Sequence, residues 1–241
     1  MRLDRFLVST GKVSRSDAGR AARAGKVTVD GVVEKHADRH IDPEVNEITL
    51  HGEKLTYRKY TYVLLNKPDG VVSATEDGRE RTVLDLLPEE LRRIGLFPCG
   101  RLDKHTLGLM LLTNDGELAH RLLSPRHHVQ KRYAYTCRAP LSDEHRAKLE
   151  AGVSLEDGYY TKPARIYADD DALSGEIVLI EGKYHQIKRM FEAVDNKIIS
   201  LERISFGPLT LGTELPRGAW RYLDSDEISA LQRAGEEGSS L

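Results

Sequence analysis

The sequence predicts an α+β protein with a small N-terminal domain, made of a helix pair and a sheet, and a larger domain with a mixed, mainly antiparallel β-sheet flanked by helices. Strand and helix patterns after residue 60 follow one another irregularly, which argues against a regular strand–helix repeat. A polar join at residues 57–60 separates them from a short basic segment with its own helical and hairpin patterns. We therefore expect domains at residues 1–58 and 59–234 and a frayed acidic tail at 235–241.

Two short helices open the first domain. Apolar residues recur at helical spacing in Leu3, Phe6 and Leu7, and Gly11 is placed to end that helix. The Ser14 hydroxyl can cap a second helix, whose alanines form a packing face and whose arginines form a cationic face.

A small sheet follows these helices. β-branched residues flank Asp30-Gly31 within residues 26–33, a strong signal for a hairpin. Residues 48–50 predict one more strand.

The second domain begins with an apolar strand at residues 62–65, which ends at a Pro- and Gly-containing turn. Further strands are predicted at residues 71–74, 109–112, 133–137, 165–168, 177–180, 198–205 and 209–211. Helices are predicted at residues 117–123, 142–151, 186–194 and 225–232.

The formal net charge of −2 conceals blocks of opposite charge. Residues 1–26 hold seven basic and two acidic residues, a net +5, while residues 27–53 hold two basic and seven acidic ones, a net −5. Residues 121–138 hold five basic residues and no acidic one. A solvated face explains any single run equally well. Two basic blocks favour a phosphate-rich partner, because local potential and not net charge attracts phosphate.

Several classes of protein are excluded by composition. No stretch approaches the ~18 consecutive apolar residues of a membrane helix, and the first residues lack the apolar run of a signal peptide. Cys99 and Cys137 are too few for a disulfide framework or a cysteine-based zinc site. We therefore expect a cytoplasmic protein with no membrane partner.

Residues 100–116 hold the densest chemistry. Asp103 stands near two cations, Arg101 and Lys104, ahead of an apolar strand. Neighbouring cations favour the ionised carboxylate, which suits a nucleophile or a base. From spacing alone, a loop ion pair between Asp103 and Arg101 is the simpler interpretation. The Asn-Asp-Gly run at 114–116 is typical of a turn that caps the next helix.

The N-terminal domain resembles the RNA-binding domain of ribosomal protein S-four. The matching residues are Arg2-Leu3-Asp4-Arg5-Phe6-Leu7, Ser14-Arg15-Ser16 and Ala24-Gly25-Lys26-Val27-Thr28-Val29-Asp30-Gly31. The resemblance implies that the helix pair presents cations to structured RNA, whereas the alternative is a small packing domain with incidental arginines. The implied RNA contacts are Arg2, Arg5, Arg15, Arg20, Arg23 and Lys26.

The second domain resembles the RNA pseudouridine synthases. The motifs are Gly100-Arg101-Leu102-Asp103-x-x-Thr106-x-Gly108-Leu109, Lys131-Arg132-Tyr133, and Glu181-Gly182-Lys183-Tyr184-His185-Gln186-Ile187-Lys188-Arg189-Met190. Asn66-Lys67-Pro68 and Ser205-Phe206-Gly207-Pro208-Leu209 also match. The resemblance implies three catalytic residues, Asp103, Tyr133 and Lys188. One departure is Asp195-Asn196, where the family commonly has Gly-Asn; an aspartate bears positive φ at modest cost.

The residue patterns are compatible with these roles. A buried helix stripe is predicted at Ile187, Met190, Phe191 and Val194. Lys188 lies at its edge, where it can reach Asp103; its alternative partner is Glu192, in an exposed pair worth ~0.3–0.5 kcal/mol. Tyr133 and Tyr135 face one side of a strand, and the motif selects Tyr133 as the platform under a uracil ring.

The implied reaction breaks the N1–C1′ bond of a uridine, turns the base and rejoins it through C5. It involves no redox change and no external group, so we expect no cofactor. The target base must first leave its stack. Residues 124–128 and 183–186 are similar to the members that modify small-subunit (16S) ribosomal RNA, as naked RNA or in a partly assembled particle, and we expect a monomer. Phosphate contacts near the flipped nucleotide are predicted at Arg101, Arg126, His127, His128, Lys131 and Arg132.

Three alternatives stay open at this point. The first is a synthase for large-subunit ribosomal RNA. The second is a non-catalytic RNA-binding or ribosome-assembly factor, which predicts that Asp103, Tyr133 and Lys188 lie far apart. The third is a metal nuclease using Asp103, Asp115 and His128. Adjacent histidines among cations make a poor cation site, so we predict no metal.

Overall fold

The computed structural model describes residues 1–124, 127 and 129–237. The helices are α1 (Leu3–Ser9), α2 (Arg15–Arg23), α3 (Glu89–Arg93), α4 (Gly116–Leu123), α5 (Asp143–Ala151), α6 (Gln186–Glu192) and α7 (Ser225–Glu237). The strands are β1 (Val27–Val29), β2 (Val32–Val33), β3 (Ile48–Leu50), β4 (Glu53–Leu55), β5 (Tyr62–Lys67), β6 (Phe97–Pro98), β7 (Leu107–Thr113), β8 (Lys131–Cys137), β9 (Arg165–Ala168), β10 (Ser174–Leu179), β11 (Ile198–Phe206), β12 (Leu209–Thr210) and β13 (Trp220–Tyr222). The chain divides into two compact units, residues 1–61 with 84–97 and residues 62–83 with 98 onward.

The first unit confirms the predicted helix pair and hairpin. Backbone N–H of Asp17 donates to the Ser14 hydroxyl, so Ser14 caps α2 as expected. Asp30 and Gly31 both adopt positive φ, 53° and 78°, the geometry of a tight hairpin turn. The sheet order is β2-β1-β3-β4, and its buried face shares one apolar core with α1 and α2.

Residues 84–97 complete this unit, which the sequence did not predict. A side chain at Gly11 would lie 2.1 Å from the carbonyl oxygen of Glu90, so only glycine allows α1 and α3 to approach so closely. Lys12 pairs with both Glu53 and Glu90, at 3.2 and 3.4 Å. A segment distant in sequence is thereby held against α1.

The second unit contains a sheet whose strands run in the order β13-β5-β7-β11-β8-β10-β9, with β12 paired to β11. The pair β7–β11 is parallel, and every other pair along that order is antiparallel. A mixed, mainly antiparallel sheet is therefore confirmed. The stripe of α6 is buried as predicted, since Ile187, Met190, Phe191 and Val194 are each no more than 5% exposed.

The parallel pair depends on Gly108. Its φ is 97°, and a Cβ built there would lie 2.3 Å from the carbonyl oxygen of Arg203 on β11. Only glycine tolerates both conditions, because it has no side chain to clash. The loop carrying Asp103 leads directly into this glycine.

Two local differences from prediction have physical causes, and one expectation is met. The prediction of a strand at residues 71–74 is wrong. Val72 forms a single bridge with Thr82, and the Ser73 hydroxyl forms hydrogen bonds with the backbone of Leu102. α7 continues through Glu237, past the predicted domain end, because Gly235 is buried. Asp195 does adopt positive φ, 56°. The rest of the predicted tail, residues 238–241, lies outside the described residues.

Across the described ranges, no helix is long and apolar enough to cross a membrane. Both cysteines are buried free thiols.

Candidate active site

Asp103 lies on the loop that leads into β7. Its Oδ2 atom accepts a hydrogen bond of 2.7 Å from Nζ of Lys188, which stands in the first turn of α6 and 85 residues away in sequence. Both side chains are about one quarter exposed, so this charge-assisted bond forms in a partly dehydrated setting. The structure thus brings together the pair that the family motif implied. Among the described ion pairs, neither Arg101 with Asp103 nor Glu192 with Lys188 occurs.

His185 is a second neighbour of Asp103 that sequence reasoning missed. Its Nε2 atom lies 3.6 Å from Oδ1 of Asp103. The backbone of His185 is left-handed, with φ 49° and ψ 30°, immediately before α6. The Gln186 side chain accepts from the backbone N–H of Lys183 and donates to Glu181, which fixes this turn. The contact depends on that turn and has no signature in residue spacing.

Tyr133 lines the same cavity as Asp103 and Lys188. This cavity, here called the Asp103 cavity, has a volume of about 70 Å³. Tyr133 and Tyr135 share the buried face of β8, as predicted. The Tyr135 ring packs on Phe191 with centroids 5.0 Å apart, so it belongs to the core. The three residues implied by the family motifs therefore converge, contrary to what a non-catalytic RNA-binding protein would require.

Lys67 is a second feature that the sequence did not assign to the site. Its side chain is fully buried, and Nζ donates to the carbonyl oxygens of Pro68, Lys104 and Thr106 at 3.1, 3.0 and 2.9 Å. Burial lowers the pKa of Lys67 to about 8. Two of these carbonyls, of Lys104 and Thr106, closely follow Asp103 in the sequence, so Lys67 ties the Asp103 loop to the end of β5.

Lys131 lines an adjoining cavity of about 230 Å³, here called the Lys131 cavity. Arg101 and Tyr133 line both this cavity and the Asp103 cavity. Its Nζ atom donates to the carbonyl oxygen of Val129 at 2.8 Å and lies 5.6 Å from the Phe206 ring centre. Burial lowers the pKa of Lys131 to about 8. This lysine was predicted as a phosphate contact, and the structure makes it a cavity-lining group.

The other predicted phosphate contacts are dispersed. Arg101 is exposed and lines both cavities. Arg132 alternates with Tyr133 and so faces the opposite side of the sheet, where it pairs with Glu176 at 2.7 Å. His127 lies in a turn, while Arg126 and His128 fall outside the described residues.

The six predicted cations of the first unit are all exposed. Arg2 pairs with Asp4 at 2.7 Å, and Arg20 pairs with Asp17. The predicted cationic face is therefore present, with two of its arginines already close to acidic side chains.

Asp115 behaves as a helix cap. Its carboxylate accepts from the backbone N–H of Leu118 at 3.0 Å and from the Tyr62 hydroxyl at 2.7 Å. Within the part of the chain that the structure describes, no group of three or more His, Cys, Asp or Glu side chains is placed to hold a metal ion.

Comparison with known proteins supplies independent observations. Residues 61–193 match a family model described as RNA pseudouridylate synthase, and residues 1–45 match the S4 domain. The chain is 44% identical to the uncharacterized RNA pseudouridine synthase YtzG of Bacillus subtilis, over 96% of this chain and 98% of that protein. It is 40% identical to ribosomal small subunit pseudouridine synthase A of Salmonella typhimurium, and 39% identical to that of Escherichia coli K12, in each case over 96% of this chain and all of the relative.

One solved structure is similar over nearly its whole length. A crystal structure of a pseudouridylate synthase superposes with a TM-score of 0.68 at 36% identity, covering 96% of this chain and 99% of the other.

Proposed function

Because this chain belongs to the RNA pseudouridine synthase family, and is thus an isomerase that acts on RNA, we propose that it converts one uridine of small-subunit ribosomal RNA to pseudouridine in the cytoplasm. The target class is supported by the relatives named ribosomal small subunit pseudouridine synthase A. The observation that carries the proposal is the convergence of Asp103, Tyr133 and Lys188 on one cavity.

In the proposed mechanism, Asp103 acts as nucleophile or base on the flipped uridine. Lys188 holds its Oδ2 atom at 2.7 Å and so fixes the carboxylate by a charge-assisted bond. The Oδ1 atom lies 3.6 Å from Nε2 of His185. Tyr133 stacks beneath the uracil ring, a contact worth ~1–3 kcal/mol.

RNA is held by charge outside the cavity. The exposed cations of α1 and α2 neutralise phosphates, which supplies most of the affinity. Arg101, which lines the Asp103 cavity, contacts the phosphate of the flipped nucleotide. Opening the stack costs a few kcal/mol, which this binding offsets. The base moves within one nucleotide, so the proposed reaction consumes no second substrate.

The central test is Asp103→Asn. We expect isomerisation of small-subunit rRNA to be abolished while RNA affinity stays near that of the wild type, because the amide keeps the shape and loses the charge. Asp69→Asn is the matched control, since Asp69 is a nearby exposed carboxylate paired with His105. Full activity of the Asp103 variant would refute the proposal.

The RNA target is tested separately. We expect one pseudouridine to disappear from small-subunit rRNA, and none from large-subunit rRNA, in cells that lack this protein. Incubating the enzyme with naked transcript and with assembly intermediates then shows which of the two is modified. Loss of a site in large-subunit rRNA alone would overturn the target and keep the reaction.

A further inference from the structure

Tyr184 is an exposed aromatic side chain near Asp103 that the proposed mechanism leaves unused. It is 75% exposed, although burial of its ring would be favourable. Its ring stacks on that of His185, with centroids 3.9 Å apart and planes inclined by 17°. A single exposed tyrosine is ordinary on a protein surface, but a stacked pair beside a catalytic carboxylate is not.

The pair is held in place from both sides. His185 adopts a left-handed backbone, and the bonds of Gln186 to Lys183 and Glu181 fix the turn that carries it. Backbone strain of this kind persists where the surroundings impose it and is concentrated at functional sites. On its other side, Nε2 of His185 lies 3.6 Å from Asp103, so the stacked rings begin at the reacting centre and extend outward.

A third cavity lies between this pair and the Asp103 loop. This Tyr184 cavity has a volume of about 500 Å³, and its lining includes Arg101, Asp103, Lys183, Tyr184 and His185. Ligand sites that hold small molecules have volumes of ~300–1,000 Å³, so one nucleotide fits. The cations Arg101 and Lys183 at its wall match the charge of a phosphate, and the ring pair matches a base.

We propose that Tyr184 and His185 form a stacking platform that holds the nucleobase next to the target uridine while the uridine reaches Asp103. The inference rests on the proposed function and adds a second base-binding site to it. Flipping one base leaves its neighbour without a stacking partner, and an aromatic ring restores that contact for any base. The platform therefore favours uridines whose neighbour is free to leave its own stack.

The experiment compares two single-stranded RNA probes with three variants of the full chain. One probe carries a uridine flanked on both sides by adenosines, and the other carries abasic riboses at those two positions. Tyr184→Ala removes the outer ring, Tyr184→Phe keeps it without the hydroxyl, and Tyr160→Ala is the matched control. Tyr160 is 62% exposed and is not among the described side chains that line the three cavities.

We expect Tyr184→Ala to weaken binding of the adenosine probe about fivefold or more, the effect of removing one base–aromatic stack. Tyr184→Phe and Tyr160→Ala should bind it within about twofold of the wild type. On the abasic probe, Tyr184→Ala should bind as the wild type does, because the base that it would contact is gone. Equal weakening on both probes, or no weakening on either, would overturn the platform.

Pseudouridine formation in small-subunit rRNA is measured with the same preparations. An enzyme that isomerises rRNA but shows no dependence on the flanking bases rejects the platform and keeps the proposed function. Binding that depends on the flanking bases, in an enzyme that does not isomerise rRNA, keeps the platform and rejects the proposed function. Because Tyr184 is exposed, all variants should unfold at the wild-type temperature, which separates a binding defect from a folding defect.

Discussion

Lys67 shows how a single residue organises this site. Its amino group is out of contact with solvent and donates to three backbone carbonyls, two of them on the Asp103 loop. A buried cation costs free energy, and burial accordingly lowers the pKa of Lys67 to about 8. The protonated amino group has one N–H for each of the three carbonyls, whereas a neutral amine could donate to only two of them.

Lys67 makes the stability of the protein depend on pH. Its pKa falls from an unfolded value of 10.5 to about 8 in the folded protein, so between those values the unfolded chain binds the extra proton. Stability therefore rises with pH across that window. We expect the free energy of unfolding of the wild type, relative to Lys67→Met, to increase by up to about 3 kcal/mol from pH 8 to 10.5 in urea titrations.

Lys148→Met is the control for this measurement, because Lys148 is exposed and pairs with Glu144 on the surface of α5. Its difference from the wild type should stay flat over the same window. If the free energy of unfolding varied with pH in the same way for the wild type and Lys67→Met, the lowered pKa of Lys67 would be contradicted.

Lys188 should act on the chemical step. Lys188→Met leaves Asp103 without its charged partner, and we expect kcat to fall on the order of 10²-fold with little change in KM. Lys188→Arg should restore part of the rate, and Lys197→Met, on the exposed segment after α6, should change nothing. A rise in KM at constant kcat would instead make Lys188 an RNA contact.

Sequence reasoning reached Asp103, Tyr133 and Lys188 because each stands in a local motif. It did not show that Lys67 and Lys131 are buried, because both look like surface lysines in the sequence, and for Lys67 only the folded chain brings the carbonyls of Lys104 and Thr106 to the amino group. His185 was missed for the same reason, since its contact with Asp103 needs the left-handed turn before α6.

At the scale of elements, the sequence predicted those features that depend on neighbouring residues. The caps Ser14 and Asp115, the hairpin at Asp30-Gly31 and the stripe of α6 all follow from neighbouring residues. α3 and β13 did not stand out, because a helix of five residues and a strand of three have too few periods to show a pattern. Their partners in the fold, and not their own sequences, stabilise them.

The parallel pair of β7 and β11 predicts a sharp cost for one substitution. Gly108→Ala places a methyl group 2.3 Å from the backbone of Arg203 at a φ of 97°, and we expect it to lower the free energy of unfolding by more than about 2 kcal/mol. Activity should fall with it, because the Asp103 loop ends at this pairing.

Gly116→Ala is the matched control. A Cβ there meets no atom within 4 Å, and the position lies in the first turn of α4. Its stability in urea should stay within about 1 kcal/mol of the wild type. Equal effects of the two substitutions would show that backbone geometry at Gly108 is not the cause.

At the scale of the whole molecule, basic and acidic residues are concentrated in different stretches of the chain. A net charge of −2 hides an exposed cationic face on α1 and α2, next in sequence to an acidic stretch. Average charge therefore carries no information on the partner, whereas its distribution does.

The salt dependence of RNA binding tests this segregation. Replacing Arg15, Arg20 and Arg23 together by Gln should flatten the plot of log Kd against log salt by about 0.7–0.9 for each phosphate that the protein no longer neutralises. The control replaces Arg146, Lys148 and Lys197, three cations of the second unit, and should leave the slope unchanged. An unaltered slope in the α2 variant would count against RNA docking by that face.

The strand order also determines how late in synthesis the sheet of the second unit can be completed. β11 sits between β7 and β8 in the sheet, although both precede it in the chain. The strands β5 and β7, and likewise β8, β9 and β10, are therefore synthesised before the strand that joins them, and the edges of β7 and β8 stay unpaired until β11 is made. Asp103 and Lys188 belong to different partial sheets, so α1 and α2 are synthesised long before the bond between Asp103 and Lys188 can form. Chains cut short before residue 198 would be inert toward uridine and prone to aggregate.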